Sequence, residues 1–517
     1  MVAAAGGCVG IRGDGTPRTR TTYGVVRGFV RNGASIFLGM PYGASTAGNR
    51  RFLPPTEPSS WTGERDATRF GQRAPQPVRA ASEAAKPIYS YFTGGRQSDL
   101  EVYGDPMGED CLVLNVLTPA TDGAGRPVLF YIHGGGFTSG SGNVMTLCER
   151  LVMEEDLVVV TVNHRLGPMG FMYLGGLSSE FSEGNPGMLD LVAALRWVRD
   201  NIAAFGGAPE KVTLFGESGG GAKIALLNTM PQAEGLFRSA IVQSGFLPEP
   251  EKPSNVPVFD MLQNLGLDKN GVARLQSLHF KEIISAARGK VGDRPIADGK
   301  TLSADAWKRA PKAAANIPMI VGYCADELTL FFPQEFLHPL EWSSVVAKIA
   351  ERLDHSEVKV APVLRAYRDA YPEANTHDIY SRILSDATFG RDMVNLADRK
   401  SIQQPPVYFY RLEYTPPSLS FLRSFHTVGL PLVGRMVSDP HAEGISQQLG
   451  RAWAAFARSG DPNHPGLPEW RSHGAEHGQV MLFGEQSKFV PDPQHLARSA
   501  LLPLVTDDLR DRLLRGA

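Results

Sequence analysis

The stretch GESGGGAK, residues 216–223, contains residue types that could serve two different reactions. A phosphate-binding loop has the spacing G-x-x-x-x-G-K-[ST], in which the lysine directly follows the second glycine and a hydroxyl follows the lysine. Here Ala222 separates Gly221 from Lys223. Ile224 comes next, so no hydroxyl follows the lysine. On a helix, a shift of one residue rotates a side chain by about 100°. The spacing therefore argues against a phosphate loop.

The same stretch also contains the motif G-x-S-x-G, the turn that exposes a nucleophilic serine, with Ser218 at its centre. The apolar run of residues 211–216 predicts a strand before Ser218, and the run that follows predicts a helix. Ser218 would then lie on a strained strand-to-helix turn. Gly216 and Gly220 suit this turn, because side chains there would collide with neighbouring backbone. For an isolated motif this short, a glycine-rich turn with an ordinary exposed serine is the alternative.

A second glycine-rich turn lies upstream, in PVLFYIHGGGF, residues 127–137. It predicts a strand that ends in His133 and three consecutive glycines. Such glycines can direct backbone N–H groups into a cavity, and an oxyanion hole needs donors about 3 Å from the developing charge. Alone, the run could be a flexible turn. A strand with HGGG upstream of a strand with G-x-S-x-G is, however, the order that the hydrolase fold requires, so the two motifs together favour acyl transfer on Ser218.

The elements that would position these residues follow from the apolar pattern. A helix pattern in residues 188–205 places Leu191, Leu195 and Val198 on one face. Short β-branched or aromatic runs predict buried and mostly parallel strands. These runs are residues 127–132, 157–163, 211–216, 240–245, 318–323 and 406–414. The alternation of strands and helices predicts an α/β sheet with helices on both faces.

The N-terminal part of the chain has a different pattern. Residues 20–60 predict a small antiparallel part, and residues 72–108, rich in Pro, Gly, Ser and Ala, predict a long surface excursion. Strand patterns resume directly after this excursion, so we do not expect a linker there. We predict a single catalytic domain over residues 1–517.

Composition excludes several classes of function. The chain has 517 residues, of which 42% are hydrophobic, and a formal net charge of −2 without a basic stripe, which argues against a nucleic-acid partner. No apolar stretch approaches the ~20 residues of a membrane-spanning helix. The N-terminal residues lack the charged and apolar regions of a signal peptide, which predicts a cytoplasmic protein and leaves secretion open. The four cysteines form no C-x-x-C pair.

Further motifs follow in order along the chain. They are FLGMPYG (37–43), RF (51–52), EDCLVLNV (109–116), VNHRLGPMGF (162–171), GNPGMLDLVAALRWVRDNI (184–202), FGESGGG (215–221), QSG (243–245), GYCADELTLF (322–331), FHTVGLPLVG (425–434) and WAAFARSGDPN (453–463). From about residue 20 to the C-terminus the chain resembles the type-B carboxylesterase family, which includes cholinesterases, mammalian carboxylesterases and bacterial p-nitrobenzyl esterases. FGESGGGAK is most similar to the bacterial members. The resemblance implies the α/β-hydrolase fold, with a large, mostly parallel mixed sheet, and ester hydrolysis without a cofactor.

The resemblance also implies a catalytic triad. Its nucleophile is Ser218, and its base is the histidine of an H-x-x-x-L-P-like turn, which is His426 here. Its acid lies in a G-x-x-x-D-E pattern. The residues alone leave Asp326 and Glu327 as alternatives, and the family pattern selects Glu327. We expect activity to fall as His426 becomes protonated, near or somewhat below neutral pH.

Other roles carry over in the same way. The resemblance implies that the oxyanion is bound by the N–H groups of Gly135, Gly136 and Gly219. It also implies that Glu217 lies beside the nucleophile and that Ser244 is a buried serine that supports the triad. Two structural ion pairs are implied as well: Arg51 with Glu109, and Arg165 with Asp190.

Two features qualify the resemblance. Cys111 matches a half-cystine of the family, but Ala74 stands at the partner's position, so this disulfide cannot form. This agrees with an intracellular protein. His473, Glu476 and His477 spell H-x-x-E-H, a zinc-binding pattern that needs a helix. Neighbouring glycines favour a loop, so we predict no metal site.

We therefore predict a serine carboxylesterase that acts on a small-molecule ester, as a monomer or small homo-oligomer. Related acyl substrates such as carbamates, amides and polyester fragments are an alternative. A non-catalytic, cholinesterase-like binding protein is a second alternative, which the presence of all three triad residues disfavours. Tyr89, Tyr91 and Phe92 could shape the substrate pocket or pack locally. The same choice holds for Phe331, Phe332 and Phe425. The sequence does not name the physiological ester.

Overall fold

The computed structural model describes residues 15–78, 86–102, 104–181, 183–268, 271–287, 290–338, 340–474 and 478–515. The strands in these ranges are Arg18–Thr21 (β1), Gly24–Arg27 (β2), Phe29–Arg31 (β3), Ala34–Pro41 (β4), Glu64–Asp66 (β5), Val113–Thr118 (β6), Arg126–Ile132 (β7), Val158–Val162 (β8), Gly207–Glu217 (β9), Ser239–Gln243 (β10), Met319–Cys324 (β11), Val407–Leu412 (β12), Gln479–Phe483 (β13) and Lys488–Pro491 (β14).

The α-helices surround these strands. They are Lys86–Phe92 (α1), Gln97–Glu101 (α2), Glu149–Glu154 (α3), Gly167–Phe171 (α4), Pro186–Asn201 (α5), Gly219–Leu227 (α6), Val256–Asn264 (α7), Phe280–Ala287 (α8), Trp342–Leu353 (α9), Glu357–Ala370 (α10), Thr376–Ser385 (α11), Arg391–Ser401 (α12), Gly429–Val433 (α13), Glu443–Ser459 (α14), His495–Leu501 (α15) and Asp507–Arg515 (α16). A π-helical turn, Asp386–Gly390, joins α11 to α12 without a break.

Eleven strands form one large sheet, in the order β14-β13-β12-β11-β10-β9-β7-β8-β6-β4-β3. From β13 to β8 every neighbouring pair is parallel. The remaining pairs, at both edges, are antiparallel. The large, mostly parallel mixed sheet predicted from the sequence is thus confirmed.

Helices cover both faces of this sheet, because its central strands are apolar on both sides. In β7, Phe130 packs in a core that also contains Leu195 of α5 and Leu226 of α6. The neighbouring Leu129 packs in a second core, with Trp453 of α14. Strand side chains alternate between faces, so one apolar strand feeds both cores.

Most predicted elements are present. The six predicted strands are β7 to β12, and the predicted helix over 188–205 is α5 followed by a 3₁₀ turn, Ile202–Phe205. In the N-terminal part, β1 and β2 are antiparallel as predicted, but β5 joins them in parallel. The segment 72–108 contains α1 and α2 in its described residues.

The two implied ion pairs are confirmed. Arg51 and Glu109 are 2.5 Å apart, and Arg165 and Asp190 are 2.6 Å apart, all four side chains being buried. Across the part of the chain that the structure describes, no helix has both the length and the apolar composition needed to span a membrane.

The H-x-x-E-H pattern lies only partly within the described residues. His473 Nε2 is 2.8 Å from Asp398 Oδ1, so its imidazole contacts a carboxylate of α12. Glu476 and His477 lie outside the described residues.

Candidate active site

Ser218 lies at the turn between β9 and α6. Its backbone has φ 58° and ψ −125°, a conformation that costs a residue with a side chain about 1–3 kcal/mol. The turn is held by hydrogen bonds that Ser218 N–H donates to Gln243 O and that Ala222 N–H donates to Ser218 O, both at 3.0 Å. The predicted strained strand-to-helix turn is thus present, with Ser218 half-buried at a cavity.

The glycines around Ser218 are required by close backbone contacts. A β-carbon on Gly216 would lie 2.8 Å from Ile132 O, and one on Gly220 would lie 2.0 Å from the same oxygen. Both distances are far below van der Waals contact. The prediction that these positions need glycine is confirmed, because β7 passes directly against the turn.

The predicted acid and base, Glu327 and His426, lie after β11 and β12. His426 Nδ1 is 2.5 Å from Glu327 Oε2, and both side chains are buried. The other carboxylate oxygen of Glu327 accepts a hydrogen bond from the Cys324 N–H at 2.7 Å. This arrangement places the proton on Nδ1 and leaves Nε2 to act as a base.

Geometry also separates Glu327 from its neighbour. Asp326 accepts a short hydrogen bond from the Ser381 hydroxyl and a second, at 3.3 Å, from the Ser424 N–H. Of the two alternatives that the residues alone left open, only Glu327 bonds to His426 within the described residues.

Glu217 faces the other nitrogen of the base. His426 Nε2 is 3.3 Å from Glu217 Oε1, but the two atoms are not aligned, and neither has a hydrogen-bond partner among the described residues. Burial raises the pKa of Glu217 to about 8. The neighbouring His426 opposes this rise, whereas the Glu327 carboxylate adds to it. Burial lowers the pKa of His426, but Glu217 and Glu327 outweigh it, so the pKa lies above its ordinary value.

Within the described residues, no hydrogen bond joins the Ser218 hydroxyl to His426. Ser218 lines the same cavity as Phe331 and Phe389, whose rings flank the imidazole at centroid distances of 5.0 and 4.5 Å. In enzymes that use such a serine, this hydrogen bond often forms only when substrate is bound.

The HGGG turn follows β7 and meets the start of α6. Gly135 and Gly136 have φ 87° and φ 61°, which favour glycine. The N–H groups of Gly135, Gly136 and Gly219 have no acceptor within the described ranges. A β-carbon on Gly219 would lie 2.4 Å from Gly136 N, so these two glycines are in close backbone contact beside Ser218. Gly136 lines the cavity, whereas Gly135 is exposed on the outer side of the turn.

Ser244 is buried near the predicted acid. Its hydroxyl contacts Cys324 Sγ at 3.7 Å, and the Cys324 N–H in turn donates to Glu327. Ser244 therefore reaches the acid through Cys324, without a hydrogen bond of its own to Glu327 in the described structure.

The cavity above Ser218 has a volume of about 640 Å³. Its apolar walls include Phe137, Phe246, Phe331, Phe389 and Leu514. Charged side chains also line it: Glu249, Asp293, Arg294, Arg510 and Asp511. The site thus combines an apolar interior with charged groups from the loop after β10, the segment before residue 296, and α16.

Sequence reasoning missed much of this lining. Phe389, whose ring stacks on His426 with an interplanar angle of 29°, lies in the π-helical turn, which no sequence motif marks. Of the aromatic candidates, Phe331 lines the cavity, whereas Phe425 packs against Tyr91 and Phe92. Tyr91 and Phe92 thus pack locally, whereas Tyr89 is exposed and does not line this cavity.

Known proteins share both the sequence and the shape of this chain. Residues 15–499 match the model of the carboxylesterase family. The chain is 32% identical to the para-nitrobenzyl esterase of Bacillus subtilis (strain 168), over 93% of this chain and 98% of that protein.

Solved structures extend the likeness. The carboxylesterase EST55 of Geobacillus stearothermophilus superposes with a TM-score of 0.76 at 34% identity, over 94% of this chain and 99% of that one. An esterase from the anaerobic Clostridium hathewayi that can hydrolyse aliphatic aromatic polyesters has a TM-score of 0.81 at 27% identity, over 95% and 99% of the two chains.

Proposed function

This chain belongs to the carboxylesterase family and has the α/β-hydrolase fold, and we propose that it hydrolyses esters through an acyl-enzyme on Ser218. Hydrolysis of carboxylic esters is the activity of the family. The observation that carries the proposal is the pairing of His426 with Glu327 on one side of the imidazole. It leaves Nε2 without a hydrogen-bond partner among the described residues, and the imidazole packs against Phe331 and Phe389, which line the same cavity as Ser218.

Acylation begins when Ser218 Oγ attacks the ester carbonyl carbon. His426 Nε2 accepts the hydroxyl proton, because an un-ionised serine is a weak nucleophile. Glu327 holds the Nδ1–H tautomer and stabilises the imidazolium without taking its proton. The alcohol then leaves with the proton that His426 returns to it.

The tetrahedral oxygen carries a full negative charge during this step. The free N–H groups of Gly136 and Gly219 lie beside Ser218 and would donate to it, with Gly135 as the third donor that family resemblance assigns. Each such donor contributes roughly 3 kcal/mol to stabilisation of the transition state.

Deacylation repeats the same chemistry with water. His426 Nε2 takes a proton from the water as the oxygen attacks the acyl carbon, and Ser218 leaves with the proton from the imidazolium. The aromatic walls of the cavity favour esters whose acyl or alcohol group is apolar. No cofactor enters any of these steps.

An intracellular location is a part of the proposal. Cys111, Cys148 and Cys324 are buried and free, as expected for a reducing compartment.

A burst experiment tests the proposal. An activated ester mixed with enzyme should release about one equivalent of alcohol rapidly, followed by slower turnover. Ser218→Ala should abolish the burst and lower kcat by roughly 10⁶-fold. Ser139→Ala, which removes the other serine hydroxyl at the cavity, should keep the burst. A wild-type protein without a burst or turnover on any ester would favour the non-catalytic binding protein instead.

A further inference from the structure

A buried lysine on α6, the helix that begins directly after Ser218, has no part in the mechanism above. Lys223 of α6 is 0% exposed, and its Nζ donates hydrogen bonds to Gly136 O at 2.6 Å and His133 O at 3.4 Å. The ammonium also lies 5.3 Å from the centre of the Phe137 ring. In the part of the chain that the structure describes, no carboxylate lies within 4 Å of Nζ. A buried cation without an anion is costly, which calls for an explanation.

Both carbonyl oxygens that Lys223 binds belong to the HGGG turn. Lys223 is one helical turn after Gly219, so its side chain runs along the same face of α6 towards that turn. A β-carbon on Gly219 would lie 2.3–2.5 Å from three backbone atoms of Gly136. Gly219 thus allows the turn to approach α6, and Lys223 holds it there.

We propose that Lys223 is a positioning residue for oxyanion stabilisation. Its ammonium binds the Gly136 carbonyl oxygen and so restrains this residue against α6, which keeps the N–H groups of Gly136 and Gly219 aimed at the reaction centre. Its positive charge also favours the negative oxygen that forms nearby, since charges interact strongly in a buried site. The inference rests on the proposed function, because an oxyanion forms only if Ser218 attacks an ester.

The two histidines near Lys223, His133 and His164, do not carry a positive charge. The His133 and His164 rings are 4.7 Å apart, and burial together with the Lys223 charge lowers the pKa of both, that of His133 to about 3. Both imidazoles are therefore neutral at pH 7. Glu217 packs against Gly134 of the turn, and His426 lies beyond it.

A pH dependence follows from this placement. Burial lowers the pKa of Lys223 to about 7, so its charge is present below that pH and is lost as the pH rises through it. The base His426 has the opposite requirement, because it must be unprotonated. We expect kcat/KM to rise as His426 loses its proton and then to decline on the alkaline side as Lys223 loses its own.

The test compares Lys223→Met with Lys400→Met. Lys400 of α12 is also fully buried and donates to Gln403 Oε1 at 2.7 Å, and burial lowers its pKa to about 8. Lys223→Met should reduce kcat/KM roughly 10- to 100-fold per titrated active site, with KM nearly unchanged. It should weaken binding of a trifluoromethyl ketone, which forms an anionic adduct with the serine, by a similar factor. The alkaline decline should disappear, and Lys400→Met should do none of this.

Three outcomes are informative. Wild-type kcat, ketone affinity and alkaline decline in Lys223→Met would overturn the inference while Ser218→Ala still abolished the burst. Turnover that survives Ser218→Ala would instead overturn the proposed function. If Lys223→Met does not fold, Lys223→Gln keeps an N–H donor without a charge, and it too should lose the alkaline decline. A decline that persists in Lys223→Gln overturns the role of the charge.

Discussion

Two regions around Ser218 differ in what builds them. The glycine turns beside Ser218, called the backbone wall here, are held by backbone contacts, whereas the lining contributed by Phe389 and Leu514, called the side-chain wall, is made of side chains. In the first wall, Gly136, Gly219 and Gly220 lie so close to neighbouring atoms that no β-carbon fits, or have a backbone that favours glycine. In the second wall, Phe389 and Leu514 come from segments far apart in the chain. We therefore expect the backbone contacts around the proposed nucleophile to tolerate no added side chain, and the side-chain lining to tolerate substitution.

After the nucleophile, the largest effect on kcat is expected from the proposed acid. Glu327→Gln should lower kcat roughly 10⁴-fold, because the amide no longer holds the Nδ1–H tautomer or stabilises the imidazolium. Asp326→Asn is the matched control, since this neighbour bonds to Ser381 and Ser424. It should change kcat per active site by less than about tenfold, although its stability falls because a buried carboxylate is lost. Equal losses of kcat in the two variants would contradict the assignment of the acid.

The backbone wall can be tested directly by adding one methyl group. Gly220→Ala would place a β-carbon 2.0 Å from Ile132 O, so β7 and α6 would have to separate. We expect a loss of several kcal/mol in the free energy of unfolding, at least that of a severe overpacking change. Gly444→Ala in α14 meets nothing within 4 Å and should stabilise the protein by about 0.5–1 kcal/mol. Chemical denaturation of both variants measures the difference, and equal stabilities would refute the close contact.

A smaller effect, on the pH dependence of activity, is expected at His426. Glu217 and Glu327 raise the pKa of His426, so activity should fall as the pH drops below a value higher than that of a free histidine. Glu217→Gln removes one of these carboxylates and should move this acidic decline to lower pH. Below the original midpoint, the variant should then keep a larger fraction of its maximal kcat/KM.

The control for this shift is Glu149→Gln, which removes a buried carboxylate that binds Arg31 and Arg96 far from the cavity. Its acidic decline should match that of the wild type. A Glu217→Gln profile that superposes on the wild-type profile would show that Glu217 does not influence the base.

The smallest effect is expected in the side-chain wall. Leu514→Ala of α16 enlarges the cavity without touching Ser218 or His426, so kcat for a small ester should stay the same. Selectivity between a bulky and a small ester, measured as the ratio of kcat/KM values, should change by roughly 10-fold or less, as expected for a few methylene groups. A 100-fold loss with the small ester would contradict the division between the two walls.

The backbone wall is also the part that the sequence predicts well. Gly216, Ser218 and Gly220 lie within one short stretch, and glycine has a steric reason at both flanking positions. Together with the upstream HGGG turn, this spacing predicted the turn around Ser218. Glu327 and His426 required the family resemblance, since the residues alone did not separate Glu327 from Asp326. The six central strands were evident because strands buried on both faces are continuously apolar.

The side-chain wall could not be predicted. Phe389 stacks on His426 from a π-helical turn that no sequence motif marks, and Leu514 reaches the cavity from a helix almost 300 residues after Ser218. Neither depends on a local pattern. Lys223 was visible in the sequence only as a failed phosphate motif, because its role requires the HGGG turn to lie against α6. The parallel pairing of β5 with β2 likewise depends on tertiary contacts that apolar periodicity does not encode.

The π-helical turn constrains how this segment can diverge. α11, the π-helical turn Asp386–Gly390 and α12 form one continuous helical segment. Within it, Phe389 stacks on His426, and Asp392 lies 2.9 Å from Arg510 of α16. Loss or gain of a single residue there would rotate everything downstream by about 100°. Evolution can therefore accept substitutions in this helical segment but not insertions or deletions, so homologous chains should align across it without gaps.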